Sequence, residues 1–170
     1  MKFKTVIING FGGVGKDAFV RECGKYAFIK NMSSVRRVKE AAALLGWNGE
    51  KEEKDRAFLC ELKDLCERYN DMPFRDMETE YHWCREHTPT EILFLHIREP
   101  AQIARAKEAF HAVTVFIHRP DVKKIVGNHA DAEVCEYDYD YYVINDSTIE
   151  ELSKKAHEFV KWLREREDAV

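Results

Sequence analysis

The sequence predicts an α/β fold in which helices cover both faces of a central parallel β-sheet, making three layers. Short runs of apolar and β-branched residues alternate along the chain with helical patterns. Each run is apolar throughout, which is typical of strands buried on both faces of a parallel sheet. With 170 residues, 45% of them hydrophobic, the chain is long enough for one domain, which we place at 1–170.

The predicted elements follow from the apolar periods and the turn residues between them. Strands are expected over 3–9, 28–32, 92–97, 113–117 and 141–144. Helices are expected over 16–28, 35–45, 51–69, 74–87, 100–110 and 147–166. Ser34 is the expected N-cap of the second helix, and Ser147 with Glu150 makes a capping box for the last. The polar stretch 119–140 is long for a passive connection, so we expect a lid there.

Charge and composition narrow the classes of function. The net charge of −4 and pI near 6.0 give no electrostatic pull toward nucleic acid or anionic lipid. No apolar stretch approaches the roughly 18 residues of a membrane span. The apolar run near the N-terminus is shorter than the core of a signal peptide. The five cysteines are odd in number and widely spread, which favours reduced thiols and a cytoplasmic location.

A glycine-rich turn follows the first predicted strand directly. Gly10 and Gly15, with Lys16 next, have the spacing of a Walker A P-loop, whose backbone N–H groups wrap the phosphates of a nucleoside triphosphate. The lysine reaches the outer phosphates, and the N-terminus of the following helix adds its positive dipole end. The expected nucleotide-binding residues are Gly10, Gly12, Gly13, Val14, Gly15, Lys16, Asp17 and Ala18, and ATP is the expected donor.

Two other interpretations of this turn remain open. Gly10, Gly12 and Gly15 also have the spacing of a dinucleotide-binding fingerprint. That interpretation requires an acidic residue about 20 positions on, and the segment 28–35 contains none. It also leaves Lys16 unexplained. The third interpretation is a plain strand-to-helix turn.

Asp17 stands where a Walker A motif usually has a Ser or Thr that binds magnesium. A carboxylate at this position holds Mg²⁺ directly or through water, or else simply stabilises a helix N-terminus. We therefore expect Mg²⁺ as a cofactor, with Asp17 as the candidate ligand.

The ending Gly15-Lys16-Asp17 on a small chain resembles the phage-type deoxynucleoside monophosphate kinases of the adenylate-kinase-like P-loop group, and some phosphomevalonate kinases share it. The similarity continues in 95–100 and 116–120, each of which ends a strand with an arginine, and in 144–147 before the last helix. The resemblance implies a P-loop NTPase fold with acceptor-binding helices over about 31–90 and a lid over about 119–140. It also implies that Asn145 contacts the donor base.

Phosphoryl transfer in such kinases depends on alignment and on neutralising phosphate oxygens, so cations are needed besides the P-loop lysine. Lys16, Arg98 and Arg119 are the catalytic candidates. The acceptor-side candidates are Ser34, Arg37, Asp55, Arg56 and Arg98. For the arginines the alternative is a solvated surface cation, and for Asp55 and Arg56 it is an ion pair on a wet helix face.

The expected activity is transfer of the γ-phosphate of ATP to a nucleoside or deoxynucleoside monophosphate. One alternative is a kinase for another metabolite, similar to the phosphomevalonate or dephospho-coenzyme A kinases. Another is a nucleotide-binding module without catalysis. The expected partners are small-molecule nucleotides, with a homodimer as a further possibility. His82, Cys84 and His87 lack a second pair at zinc spacing, so we expect no zinc site there.

Overall fold

The computed structural model describes residues 2–50, 52–120, 122 and 137–166 and contains one parallel sheet of five strands. The strands are β1 (Lys4–Asn9), β2 (Ile29–Ser33), β3 (Ile92–His96), β4 (Val113–His118) and β5 (Tyr141–Ile144). Their order across the sheet is β2-β3-β1-β4-β5, and every pairing is parallel. The predicted strands and their parallel arrangement are confirmed.

Six helices lie in the described part of the chain. They are α1 (Lys16–Cys23), α2 (Arg36–Leu44), α3 (Glu53–Asn70), α4 (Met72–His87), α5 (Pro100–Ala109) and α6 (Ile149–Glu165). The first helix is shorter than predicted, because it ends at Cys23 with Gly24 as its C-cap.

Both predicted helix caps were wrong in position. Ser34 does not cap α2, because its N–H is still paired with the carbonyl oxygen of His96 at 3.2 Å, and the helix begins only after Val35. At α6 the cap is Thr148, whose hydroxyl accepts a hydrogen bond from the Glu151 N–H at 3.4 Å. Each helix therefore begins later than a short polar motif suggested, because the preceding residues still belong to the strand or its turn.

The sheet is the centre of the core. In β1, the residues Val6, Ile7 and Ile8 are fully buried, as expected for a strand covered on both faces. On one face α1 packs against α6, where the rings of Phe19 and Phe159 lie 5.5 Å apart. On the other face lie α4 and α5. This confirms the three-layer α/β arrangement predicted for a P-loop fold.

The predicted lid, 119–140, falls largely on residues 121 and 123–136, which lie outside the described residues. Cys23, Cys60, Cys66 and Cys84 are free thiols. Among the described helices, none is both long and apolar enough to cross a membrane.

Candidate functional site

The turn between β1 and α1 has the backbone of a phosphate cradle. Gly10, Gly13 and Gly15 have φ angles of 142°, 80° and 95°, a region that residues with a Cβ rarely adopt. A Cβ at Gly10 would overlap the carbonyl oxygen of Ile117, and one at Gly15 would overlap the side-chain amide of Asn145. Both glycines are therefore required, because the loop lies tightly against neighbouring strand ends.

The Lys16 ammonium lies across this loop. Its Nζ donates hydrogen bonds to the carbonyl oxygens of Gly10, at 2.5 Å, and Phe11, at 2.8 Å. Lys16 also begins α1, so the positive end of that helix lies beside the ammonium. This arrangement fits the terminal phosphates of a nucleoside triphosphate, since backbone N–H groups, a helix N-terminus and a lysine cation converge on one concave turn.

The strands on either side of β1 carry the two predicted arginines. Both β3 and β4 pair with β1 in parallel, with Ile8 beside His96 and Asn9 beside Phe116. Because the carboxyl ends of parallel strands meet at one edge of the sheet, Arg98 and Arg119 emerge at the same edge as the P-loop. Both residues are exposed.

Asn145 lies against the P-loop rather than at a distance from it. Its Nδ2 donates to the carbonyl oxygen of Val14 at 2.8 Å, and its backbone N–H donates to the carbonyl oxygen of His118 at 2.7 Å. The residue is buried. Asn145 therefore links the end of β5 to the P-loop, and its contact with the donor base stays a prediction.

Asn9 is a residue that sequence reasoning missed. It is 1% exposed, and its Oδ1 accepts a hydrogen bond from the Gly10 N–H at 2.8 Å. Its Nδ2 donates to the carbonyl oxygen of Arg98 at 3.1 Å and to the hydroxyl of Tyr139 at 2.8 Å. One buried amide thus ties together the first P-loop residue, the end of β3 and the residues before β5. In the sequence, the one signal of this role was an asparagine at the end of an apolar strand.

His96 ends β3, which lies between β2 and the strand that leads into the P-loop. Its Nε2 is 2.8 Å from Asn31 Oδ1 and 3.7 Å from Asp17 Oδ1. Burial lowers the pKa of His96 to about 4; the Lys16 and Arg98 cations lower it too, and Asp17 opposes them. The imidazole is therefore neutral near pH 7. Asp17 itself is open to solvent, with 89% of its side chain exposed.

Arg37, a predicted acceptor-side residue, and its neighbour Arg36 are held by carboxylates. Arg36 donates from Nη2 to Asp76 at 2.8 Å and from Nη1 to Glu80 at 2.9 Å, while Arg37 donates to Asp76 at 3.2 Å and to Glu40 at 3.1 Å. Burial acts to raise the pKa of Glu80, but its bonds to Lys30 and Arg36 hold the pKa below the usual value. The structure thus places Arg37 in a network that joins α2 to α4.

The other acceptor-side candidates are placed differently. Asp55 accepts a hydrogen bond from the Glu52 N–H at 3.1 Å and forms a capping box at the start of α3. Arg56 is exposed on the same helix, which packs mainly against α2 and α4. Ser34 is buried beside the end of β3. Of these three candidates, the structure brings only Ser34 to the strand edge that carries the P-loop.

Glu99, the residue after Arg98, is bound to a lysine. Lys63 Nζ lies 3.1 Å from Glu99 and 2.9 Å from Glu67. Burial acts to lower the pKa of Lys63, yet the two carboxylates raise it above its usual value. Because Glu99 follows Arg98 directly, this ion pair joins the middle of α3 to the strand end that carries a catalytic candidate.

Comparison with known structures agrees with this geometry. TT1252 from Thermus thermophilus matches with a TM-score of 0.56 at 15% identity, covering 96% of this chain and 99% of that chain. A shikimate kinase from Aquifex aeolicus vf5 matches with a TM-score of 0.50 at 12% identity, covering 95% and 98%. The chain has the fold of the P-loop kinases. By sequence, no family model and no curated protein matches this chain.

Proposed function

We propose that the protein transfers the γ-phosphate of ATP to the phosphate group of a nucleoside or deoxynucleoside monophosphate. One observation carries the proposal. The first charged residue after β3 is Arg98 and the first after β4 is Arg119, and these two strands flank the strand that leads into the P-loop. The edge that holds the donor phosphates therefore presents guanidinium groups on both sides.

Guanidinium groups at this edge favour a phosphate acceptor over a hydroxyl acceptor. A phosphate monoester is already ionised near pH 7, so its oxygen attacks without a general base, provided that its charge is neutralised. Arginine binds phosphate oxygens in a bidentate manner, which both neutralises and orients them. The acidic residue that follows Arg98 in the sequence, Glu99, is held by Lys63 at 3.1 Å, which supports a role in positioning rather than as a base.

The mechanism is an in-line displacement in which the protein supplies alignment and charge. The N–H groups of the P-loop and the Lys16 ammonium bind the β- and γ-phosphates. Arg98 and Arg119 bind the acceptor phosphate and the transferred group. An oxygen of the acceptor phosphate forms a bond to the γ-phosphorus while the bond from that phosphorus to the β-phosphate oxygen breaks, and ADP leaves.

The carboxylate of Asp17 would hold a divalent cation beside the nucleotide. It lies in the first turn of α1, next to Lys16, with 89% of its side chain exposed. When bound there, a divalent cation neutralises charge on the phosphate oxygens.

Asp17 also supports a second candidate function. An exposed carboxylate at the end of the P-loop is placed to take the proton from a hydroxyl group. In that case the protein phosphorylates a hydroxyl-bearing metabolite, and Asp17 is its general base.

The first experiment is a coupled ADP-release assay with Mg-ATP and each ribo- and deoxynucleoside monophosphate. We expect turnover with one acceptor or a small set. In Lys16→Ala, kcat/KM should fall by roughly 100-fold or more, because the lysine contacts the phosphates as their charge changes. Lys161→Ala is the matched control, since this lysine on α6 has 71% of its side chain exposed.

If the protein binds ATP but none of the monophosphates leads to ADP release, the proposal is contradicted. Equal turnover in Lys16→Ala and the control would also contradict it, since the activity would then come from a contaminating kinase.

A further inference from the structure

Three side chains from three different elements meet beside Lys16. Asp17 comes from the first turn of α1, Asn31 from β2 and His96 from the end of β3. The His96 Nε2 atom is 2.8 Å from Asn31 Oδ1 and 3.7 Å from Asp17 Oδ1. No segment of sequence joins these residues, so only the fold brings them together.

The cluster opens toward solvent. Asn31 is exposed, and 89% of the Asp17 side chain is exposed, whereas His96 has only 18% of its side chain exposed. The imidazole ring is therefore held in a fixed position, and its Nε2 atom faces two oxygen atoms. Because β2, β3 and the P-loop share one edge of the sheet, this opening lies where the donor phosphates of the proposed function are bound.

The atoms are those of a metal-binding site. A carboxylate oxygen, an amide oxygen and an imidazole nitrogen all bind divalent cations. Ligand atoms about 2.1 Å from an octahedral cation and at right angles lie roughly 3 Å apart. The separations of 2.8 Å and 3.7 Å lie on either side of that value, so small rotations suffice.

We infer that Asp17, Asn31 and His96 form a divalent-cation site that selects ions of the manganese type over magnesium. The imidazole decides the selectivity, because Mg²⁺ prefers a shell of oxygen ligands, whereas first-row transition ions accept a nitrogen. Coordination replaces the hydrogen bond from Nε2 to Asn31, and the ring hydrogen then resides on Nδ1.

Local charge predicts when the cation binds. The three ligands supply one negative charge, from Asp17, while Lys16 is adjacent in sequence and Arg98 is two residues beyond His96. Binding to the protein alone is therefore weak, and nucleotide phosphates complete the ligand set. The inference rests on the proposed function only for the presence of a nucleotide, because cation binding is measured without turnover.

The decisive experiment is pulsed electron paramagnetic resonance of Mn²⁺ with ADP, using protein labelled with ¹⁵N-histidine. We expect nitrogen couplings characteristic of a directly bound imidazole, which change with the label. They should disappear in His96→Gln and persist in His118→Gln. His118 is the matched control, because it is an exposed histidine that ends β4 on the other side of the P-loop.

Affinity supplies the second measurement. In the presence of ADP, the dissociation constant for Mn²⁺ should rise tenfold or more in His96→Gln, while that for Mg²⁺ changes much less. Asn31→Ala should also weaken Mn²⁺ binding, and its exposed position keeps the test valid if the His96 variant does not fold.

An absence of histidine coupling in the unmodified protein, or equal Mn²⁺ affinity in His96→Gln, Asn31→Ala and His118→Gln, would overturn the inference. Either result can occur while a monophosphate is phosphorylated, which would leave the proposed function standing. Conversely, histidine coupling without turnover of any acceptor would support the cation site and contradict the proposed function.

Discussion

The proposed nucleotide-binding side of this fold and helix α3 on the proposed acceptor side are packed in different ways. On the nucleotide side, α1 has eight residues, buries four of them and packs against α6. On the acceptor side, α3 has eighteen residues and buries only Lys63. Leu44, Leu65 and Tyr69 on that side remain 90%, 55% and 83% exposed.

This difference matches what the proposed function requires of each side. Alignment of the donor phosphates contributes much of the rate of phosphoryl transfer, so the P-loop benefits from a rigid, densely packed surround. A region with few buried apolar contacts opens locally at a lower free energy. We infer that the acceptor side adapts around its substrate, while the nucleotide side keeps one conformation.

The largest contrast is expected between two apolar truncations. Phe159 on α6 is fully buried against Phe19, and Leu65 on α3 is 55% exposed. Phe159→Ala should lower the free energy of unfolding by about 3–5 kcal/mol, because it removes contacts and leaves a cavity. Leu65→Ala should change it by less than about 0.5 kcal/mol. Urea unfolding measures both, and equal losses would refute the contrast in packing.

Two glycines in the P-loop test how tightly the loop is held. Gly10→Ala places a methyl group against the carbonyl oxygen of Ile117 at a φ of 142°, which should cost about 1–3 kcal/mol of stability. Gly12→Ala is the control, because a Cβ there has nothing within 4 Å. Differential scanning calorimetry should show a lower Tm for Gly10→Ala alone. A normal Tm in that variant would mean that the loop is looser than the structure shows.

The ion pair of Lys63 sharpens the comparison on the acceptor side. Lys63→Met removes charge-assisted contacts to Glu67 and Glu99, which should cost about 1–3 kcal/mol locally. Hydrogen exchange should accelerate in α3 and stay unchanged in α1 and α6. Lys54→Met is the control in the same helix, with 76% of its side chain exposed. Faster exchange in α1 and α6 as well would show that the two sides unfold as one unit.

The smallest effect concerns acid stability where β4 and β5 begin. Burial acts to raise the pKa of Asp140, but hydrogen bonds from Lys107 and Thr114 hold it below its usual value. The ionised carboxylate therefore stabilises the fold above the unfolded-state pKa of about 3.9, and this stability is lost as the pH falls through that value and below. When the pH is lowered from 6 to 3, the free energy of unfolding, measured with urea, should fall less in Asp140→Asn than in the unmodified protein. A steeper loss in the variant would contradict this assignment.

Local features of the sequence predicted the fold and the P-loop well. The strands are short apolar runs, and the Gly10 to Lys16 spacing places a phosphate cradle between the first strand and the first helix. In a parallel sheet the neighbours of that strand end at the same edge, so Arg98 and Arg119 were predictable from the same reasoning.

Long-range contacts explain what the sequence did not reveal. The hydrogen bond of Asn9 to Tyr139 spans 130 positions and that of Asn31 to His96 spans 65, so neither pairing leaves a local pattern. Likewise, the binding of Arg37 to Asp76 depends on how α2 packs on α4, which single-sequence periodicity does not determine.

The central claim, transfer of phosphate to phosphate, is tested most directly by ³¹P nuclear magnetic resonance of the product formed from ATP and the accepted substrate. The account predicts a new phosphoanhydride signal, showing a bond between the transferred phosphorus and an acceptor phosphate oxygen, formed together with ADP and absent in Lys16→Ala. A phosphomonoester signal would show that a hydroxyl is the acceptor and would contradict the account, as would inorganic phosphate as the only product besides ADP.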